Sequence, residues 1–235
     1  IWSCVVSAEL LINVTPSESR VALIENGILQ EIHVERHTKR GLVGNIYRGK
    51  VSRVLPGMQA AFVDIGLEKA AFLHASDIVI HNEIAEEVSA SHIQKQDIRE
   101  LVRDGQDIVV QVVKDPIGTK GARLTTDITI PSRYLVFMPS VTHVGVSQRI
   151  EEEAERERLK SLVQEFCDEN GGFILRTAAE GVGKNELQSD AAFLRRLWDK
   201  IQSRMKKRKS NVLYEDLPLA RRVLRDFVGT ELDRI

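Results

Sequence analysis

Between Gly44 and Lys120 turn residues cut the chain into short, β-branched runs, and this pattern restricts it to a small β structure. NIYRGKVSRV is followed by Pro56-Gly57, then MQAAFVDIG, then KAAFLHASDI, and later QDIVVQVVKD. Runs this short, rich in Val, Ile and Phe, suit strands rather than helices. Five such strands avoid exposed edges by closing into a small barrel. His81 to Arg103 is polar and charged, with weak helical periodicity, and is expected to be a long mobile connection outside the barrel wall.

On the amino-terminal side, ELLINV, RVALIENG and ILQEIHVE read as a β-meander, with Pro16-Ser17 and Asn26-Gly27 as its turns. After Gly121 come ARLTTDITI and SRYLVFM, the latter ending at Pro139, and these two runs are expected to pair in a second sheet. Leu159, Leu162, Val163 and Phe166 recur at helical spacing, Glu152 precedes Arg156 by four, and Gly171-Gly172 stops the run, so residues 151 to 170 form a helix. Leu194, Leu197, Trp198, Ile201 and Met205 mark a second helix. Ala220, Val223, Leu224 and Phe227, after Pro218, mark a third. With 235 residues and 43% hydrophobic composition the chain can bury cores for two small domains, in an α+β architecture.

Charge and cysteine usage exclude several functions. The formal charge is -1, from 33 basic and 34 acidic residues, so any affinity for nucleic acid must come from local patches. Cys4 and Cys167 are isolated, which argues against a disulfide framework or a zinc site and points to a reducing, cytoplasmic setting. No apolar run approaches the roughly 20 residues of a membrane helix, so no membrane partner is expected, and Ile1 to Ser7 is too short and uncharged for a signal peptide. The absence of an initiating Met and the ending inside a helical pattern read as part of something longer. His33 and His37 do not form an HExxH arrangement, and the sequence has no phosphate-cradling Gly-Lys-Ser/Thr loop and no GxSxG elbow. Metal binding and covalent catalysis therefore have no candidate residues.

Four features can carry recognition, each with a plainer alternative. Phe62 and Phe72 fall on neighbouring strands, where they either fill the barrel or present flat faces on which bases stack at about 1 to 3 kcal/mol each. Lys120, in Gly118-Thr119-Lys120-Gly121, is either a solvated turn cation or a contact for a backbone phosphate. Arg176 and Thr177 leave a strand beside a Gly-containing turn, where a guanidinium fork and a hydroxyl suit a terminal phosphate; an Arg at a strand exit is more often a surface charge. Arg195, Arg196, Lys200, Arg204, Lys206, Lys207, Arg208 and Lys209 form a basic stripe, read equally well as a solvated face or as a track for a nucleic-acid backbone.

GNIYRGKVSRVLPGMQAAFVDIGLEKAAFLHASDI, KDPIGTKGARLTTDITIPSRYLVFMP, VGVSQRIE and ILRTAAEGVG, in that order and spacing, closely resemble the ribonuclease E/G family from about Ala8 to Ile235. The resemblance implies an OB-fold barrel of the ribosomal-protein S1 type over residues 39–126, inserted in an RNase H-like subdomain begun by residues 8–38 and resumed at 215–235. A small α/β 5′-sensor domain would occupy residues 127–214, and residues 1–7 match nothing in the family. By position, Phe62, Phe72 and Lys120 correspond to RNA contacts, and Arg176 with Thr177 to a 5′-phosphate grip that the backbone near Val136 closes. The implied activity is Mg²⁺-dependent endoribonuclease cleavage of single-stranded, preferably 5′-monophosphorylated RNA in rRNA processing and mRNA decay. The family's metal-binding aspartates and dimerising cysteines would come after Ile235. This chain is therefore expected to bind no Mg²⁺ and to be inactive alone, with homo-oligomers expected only of the complete protein. The alternative is a non-catalytic RNA-binding module.

Overall fold

The computed structural model describes residues 8–79, 96–168, 171–207, 210–227, 232 and 234–235. The chain divides into two compact units, one of Ile1–Gly41 with Leu217–Ile235, the other of Leu42–Asp216.

In the first unit β1 (Ala8–Val14), β2 (Glu18–Glu25) and β3 (Ile28–Arg36) form the antiparallel meander expected from the sequence. Asn26 and Gly27 both take positive φ, 53° and 75°, as a two-residue turn matching the right-handed strand twist requires. The other turn is held by Thr15, whose hydroxyl donates to the Glu18 carbonyl at 2.9 Å. A helix over Leu219–Phe227, labelled α4 by its place in the chain, buries Leu219 and Val223 against Leu10 and Val21. Its start is fixed by Glu35, whose carboxylate accepts from the Leu219 amide at 3.0 Å and from Arg222 Nη2 at 3.1 Å. Leu11, Ile32 and Val34 remain exposed.

The second unit begins with the barrel. β4 (Ile46–Leu55), β5 (Ala60–Asp64), β6 (Ala71–His74), β7 (Asp107–Lys114) and β8 (Arg123–Thr125) are ordered β4-β5-β6-β8-β7, and β7 closes on β4. Val51, Ala61, Val63, Leu73, Val110, Val112 and Leu124 fill its interior. Residues 80–95, most of the expected long connection, lie outside the described residues; its end is one helical turn, α1 (Ile98–Leu101), capped by the Asp97 carboxylate with Ile98 buried.

ARLTTDITI does not act as one strand of a second sheet. Arg123–Thr125 pairs with β6 and β7 to close the barrel, and only β9 (Ile130–Pro131) joins the next sheet. Gln111 marks the changeover, its side chain bonding the Thr129 amide and carbonyl, each at 2.9 Å. That sheet, in the order β11-β12-β10-β9, adds β10 (Leu135–Met138), β11 (Val144–Val146) and β12 (Gly172–Leu175). α2 (Glu153–Gln164) and α3 (Lys184–Lys207) bury Leu159, Val163, Leu187, Leu194 and Ile201 in the core that holds Leu135, Phe137, Phe173 and Leu175. α2 is shorter than the 151–170 expected, and Gly172 opens β12 rather than ending the helix; a Cβ at Gly171 would lie 2.5 Å from the Phe137 ring. A last strand, β13 (Val212–Tyr214), extends the barrel sheet at β4.

Among the described residues no helix is long and apolar enough to cross a membrane.

Candidate nucleic-acid interface

The side chains of β5 alternate strictly. Ala61 and Val63 face the barrel core, whereas Phe62 and Asp64 face out, and in β6 Leu73 faces in while Phe72 and His74 face out. Phe62 and Phe72 are directly opposed across the strand pair, ring centroids 6.3 Å apart at an interplanar angle of 68°. Neither ring is among the residues that fill the barrel; both are half-buried on its outer face.

Register carries the row further. Arg53 pairs with Phe62, Phe72 with Arg123, and Arg123 with Lys114, so two aromatic rings stand between cationic residues across five strands. Arg123 is steadied by Asp77, with Nε to Oδ2 at 2.9 Å and Nη2 to Oδ1 at 3.2 Å. His74 extends the aromatic face, its ring 6.4 Å from Phe72.

Lys120 meets the same surface. It closes a two-residue hairpin with Ile117, amide to carbonyl in both directions at 3.0 and 3.1 Å, and Lys69 Nζ ties the tip by donating to the Gly118 carbonyl at 2.6 Å. Phe62, Phe72, Lys69, Lys114, Lys120 and Arg123 line one cleft of about 770 Å³. Met58 and Ile117, 59% and 74% exposed, form its apolar rim. Asp115, also in its wall, is committed to the Leu42 amide at 2.6 Å. The cleft thus combines ring faces, apolar edges and lysines, as needed to hold unpaired bases and the phosphates between them.

The hairpin can reach this position because residue 121 lacks a side chain. A Cβ at Gly121 would sit 2.0 Å from the Ala70 carbonyl oxygen, a backbone atom that cannot step aside. Gly121→Ala is expected to lower the melting temperature by roughly 3 to 10 °C through this overpacking and to weaken RNA binding by displacing Lys120. Calorimetry alongside an RNA titration checks both effects.

Arg176, Thr177 and Val136 lie apart from that cleft, in the second sheet. The Arg176 amide donates to the Tyr134 carbonyl at 2.8 Å, and its Nη1 donates to the Ser132 and Arg133 carbonyls at 2.5 and 3.4 Å. Part of the guanidinium fork therefore holds the 132–134 turn. Thr177 is exposed and opens the 3-10 turn Thr177–Ala179, whose far side is tethered where the Glu155 carboxylate accepts from the Gly181 amide at 2.8 Å. The Arg158 guanidinium bonded to Glu155, at 2.6 and 2.7 Å, together with that amide, holds its carboxyl down at about 2. Val136 lies within β10, paired with Ile174 and Pro131, two residues in from the Arg176–Tyr134 contact. It shares the sheet face of Ile174, away from the buried Leu135 and Phe137.

Of the basic stripe, Arg195 and Arg204 serve the fold. Arg195 donates to the Phe166 carbonyl at 2.9 Å and lies 5.5 Å over the Phe173 ring; Arg204 donates to the Leu213 carbonyl at 2.9 Å. Arg208 and Lys209 lie outside the described residues. His33 and His37 bond Glu31 and Ser19 respectively, and among the described residues no three His, Cys, Asp or Glu side chains converge as a metal site would need.

A closed five-stranded barrel in this order is an OB fold. Residues 42–124 match the S1 RNA binding domain, and residues 129–235 match the ribonuclease E/G family. The chain is 69% identical over 230 residues to ribonuclease G of Escherichia coli, covering 97% of this chain and 47% of that protein, and 63% identical to ribonuclease G of Haemophilus influenzae over the same shares. Ribonuclease E of Nostoc sp. is 38% identical over 216 residues. The chain is thus similar to the ribonuclease E/G family, and it spans about half the length of the ribonuclease G relatives it matches.

Proposed function

We propose that this chain is the RNA-capturing and 5′-end-sensing portion of a ribonuclease G type endoribonuclease acting on single-stranded RNA in rRNA processing and mRNA decay. The observation that carries this reading is the convergence of Phe62, Phe72 and Lys120 on one cleft outside the barrel. A strand laid there stacks two or three bases and leaves its phosphates among the lysines. Double-stranded RNA, whose base faces are hidden, gains none of the stacking. In the complete protein Mg²⁺ held by carboxylates would activate water for hydrolysis. The chain by itself captures RNA without cutting it, works in the cytoplasm, and leaves homo-oligomer formation to the complete protein.

End sensing is assigned to Arg176 and Thr177, with the backbone near Val136 closing the pocket, on the strength of the family resemblance and of the strand-end position they share. Because Arg176 also braces the 132–134 turn, the clean variant is Thr177→Val, which removes a hydroxyl and keeps the shape. The unaltered chain is expected to bind a 5′-monophosphorylated oligonucleotide more tightly than its 5′-triphosphorylated twin. Thr177→Val is expected to erode that preference by roughly 5-fold, one hydrogen bond's worth. Equal affinities of the unaltered chain for the two ends, titrated at one salt concentration, would contradict end sensing while leaving the barrel assignment intact.

A further inference from the structure

α3 carries a second recognition surface that the barrel reading does not use. Asn185, Ser189 and Phe193 recur every four residues along it, with Glu186 and Asp190 on the adjoining row. Together with Arg133 and Tyr134 these side chains line a cleft of about 440 Å³, a volume suited to a single small ligand. One wall is built rigidly. Asp190 accepts from the Ser132 hydroxyl and from the amides of Tyr134 and Leu135, both at 3.0 Å, so the turn bearing Arg133 and Tyr134 is fixed to the helix. The Arg133 guanidinium lies 4.8 Å over the Tyr134 ring. Phe193, at the other wall, is 50% exposed.

The chemistry selects the occupant. Glu186 opposes a phosphate inside the cleft, whereas two aromatic side chains and the Asn185 amide suit the faces and edge of a planar base. The Phe193 row continues along the helix as Arg196, Lys200 and Lys207, all exposed, which suits a polyanion better than a peptide. We propose that this cleft is a second nucleotide subsite, taking one unpaired base of an RNA strand whose phosphates follow Arg196 and Lys200. The proposal rests on the reading that the chain binds single-stranded RNA.

The test is a titration of fluorescent oligouridylate against the whole chain, against Phe193→Ala, and against the same substitution placed in a Phe62→Ala/Phe72→Ala background. Phe193 lies in the open, so its loss should leave the melting curve unchanged. Phe193→Ala is expected to weaken binding about 5- to 150-fold in the first background, the range of one lost stacking contact, and to abolish the residual binding in the second. Arg196→Gln and Lys200→Gln should each reduce the slope of log affinity against log salt by about one. Unchanged RNA affinity on Phe193→Ala in both backgrounds overturns the subsite. So does a change confined to self-association or peptide binding, which would reassign the cleft to protein contacts. Failure of the unaltered chain to bind any oligouridylate would instead defeat the parent reading, and the subsite with it.

Discussion

Replacing Phe62 and Phe72 together by alanine is expected to weaken binding of single-stranded RNA roughly 30- to 900-fold, about 2 to 4 kcal/mol, while leaving the barrel folded. The two outcomes separate because of alternation: Ala61, Val63 and Leu73 build the interior, and the rings stand on the opposite face. Interior phenylalanines would give the opposite pattern, in which a cavity costing about 3 to 5 kcal/mol of stability dominates. The loss should also be largely independent of salt, because no charge is removed. Lys120→Ala provides the contrast, with a smaller loss that disappears as salt rises, since one phosphate contact contributes about one unit of salt slope. Fluorescence anisotropy at two salt concentrations, with a melting curve for each variant, reads all of these effects.

The second large effect is expected at Asp190. One carboxylate holds the Ser132 hydroxyl and two consecutive amides, Tyr134 and Leu135, joining α3 to the entry of β10. Asp190→Ala leaves those partly buried donors without their acceptor, and bonds to a charged acceptor are worth more than neutral ones. A loss of about 2 to 4 kcal/mol is expected, seen as a fall in melting temperature of roughly 6 to 12 °C. Asp190→Asn keeps one acceptor oxygen and should lose about half as much. The turn released by Asp190→Ala carries the carbonyls on which Arg176 rests. Any preference for 5′-monophosphate should therefore weaken along with stability, although no residue assigned to the phosphate has been touched.

How far the sequence could be read depended on how local the deciding interaction was. The orientation of Phe62 was present in the order AAFVD, because Phe62 shares parity with the charged Asp64, and the pattern AFLH couples Phe72 to His74 in the same way. The meander turns were legible because Asn26-Gly27 is a chemical solution to a two-residue loop. The three-residue β8 was not, since a run that short carries no periodicity, and its place is set by pairing with a strand about fifty residues earlier. Met58 and Ile117 escaped notice as cleft residues for a related reason: exposed apolar side chains on turns look like noise until the rings they flank are in place. Asp190 was invisible because its partners lie 55 to 58 residues away. The limits assigned to the barrel and the sensor came from family likeness, and periodicity alone would not have joined residues near 10 to residues near 220, as the packing of Leu10 and Val21 on Leu219 and Val223 does.

The most direct test of RNA capture by the outward rings is photo-crosslinking of a 5-iodouridine oligonucleotide to the chain, with the adducts mapped by mass spectrometry. Capture on the barrel predicts adducts at Phe62 or Phe72 that an excess of unlabelled single strand competes away and an equal amount of duplex does not. Adducts that avoid both rings, or that duplex displaces equally well, would contradict it.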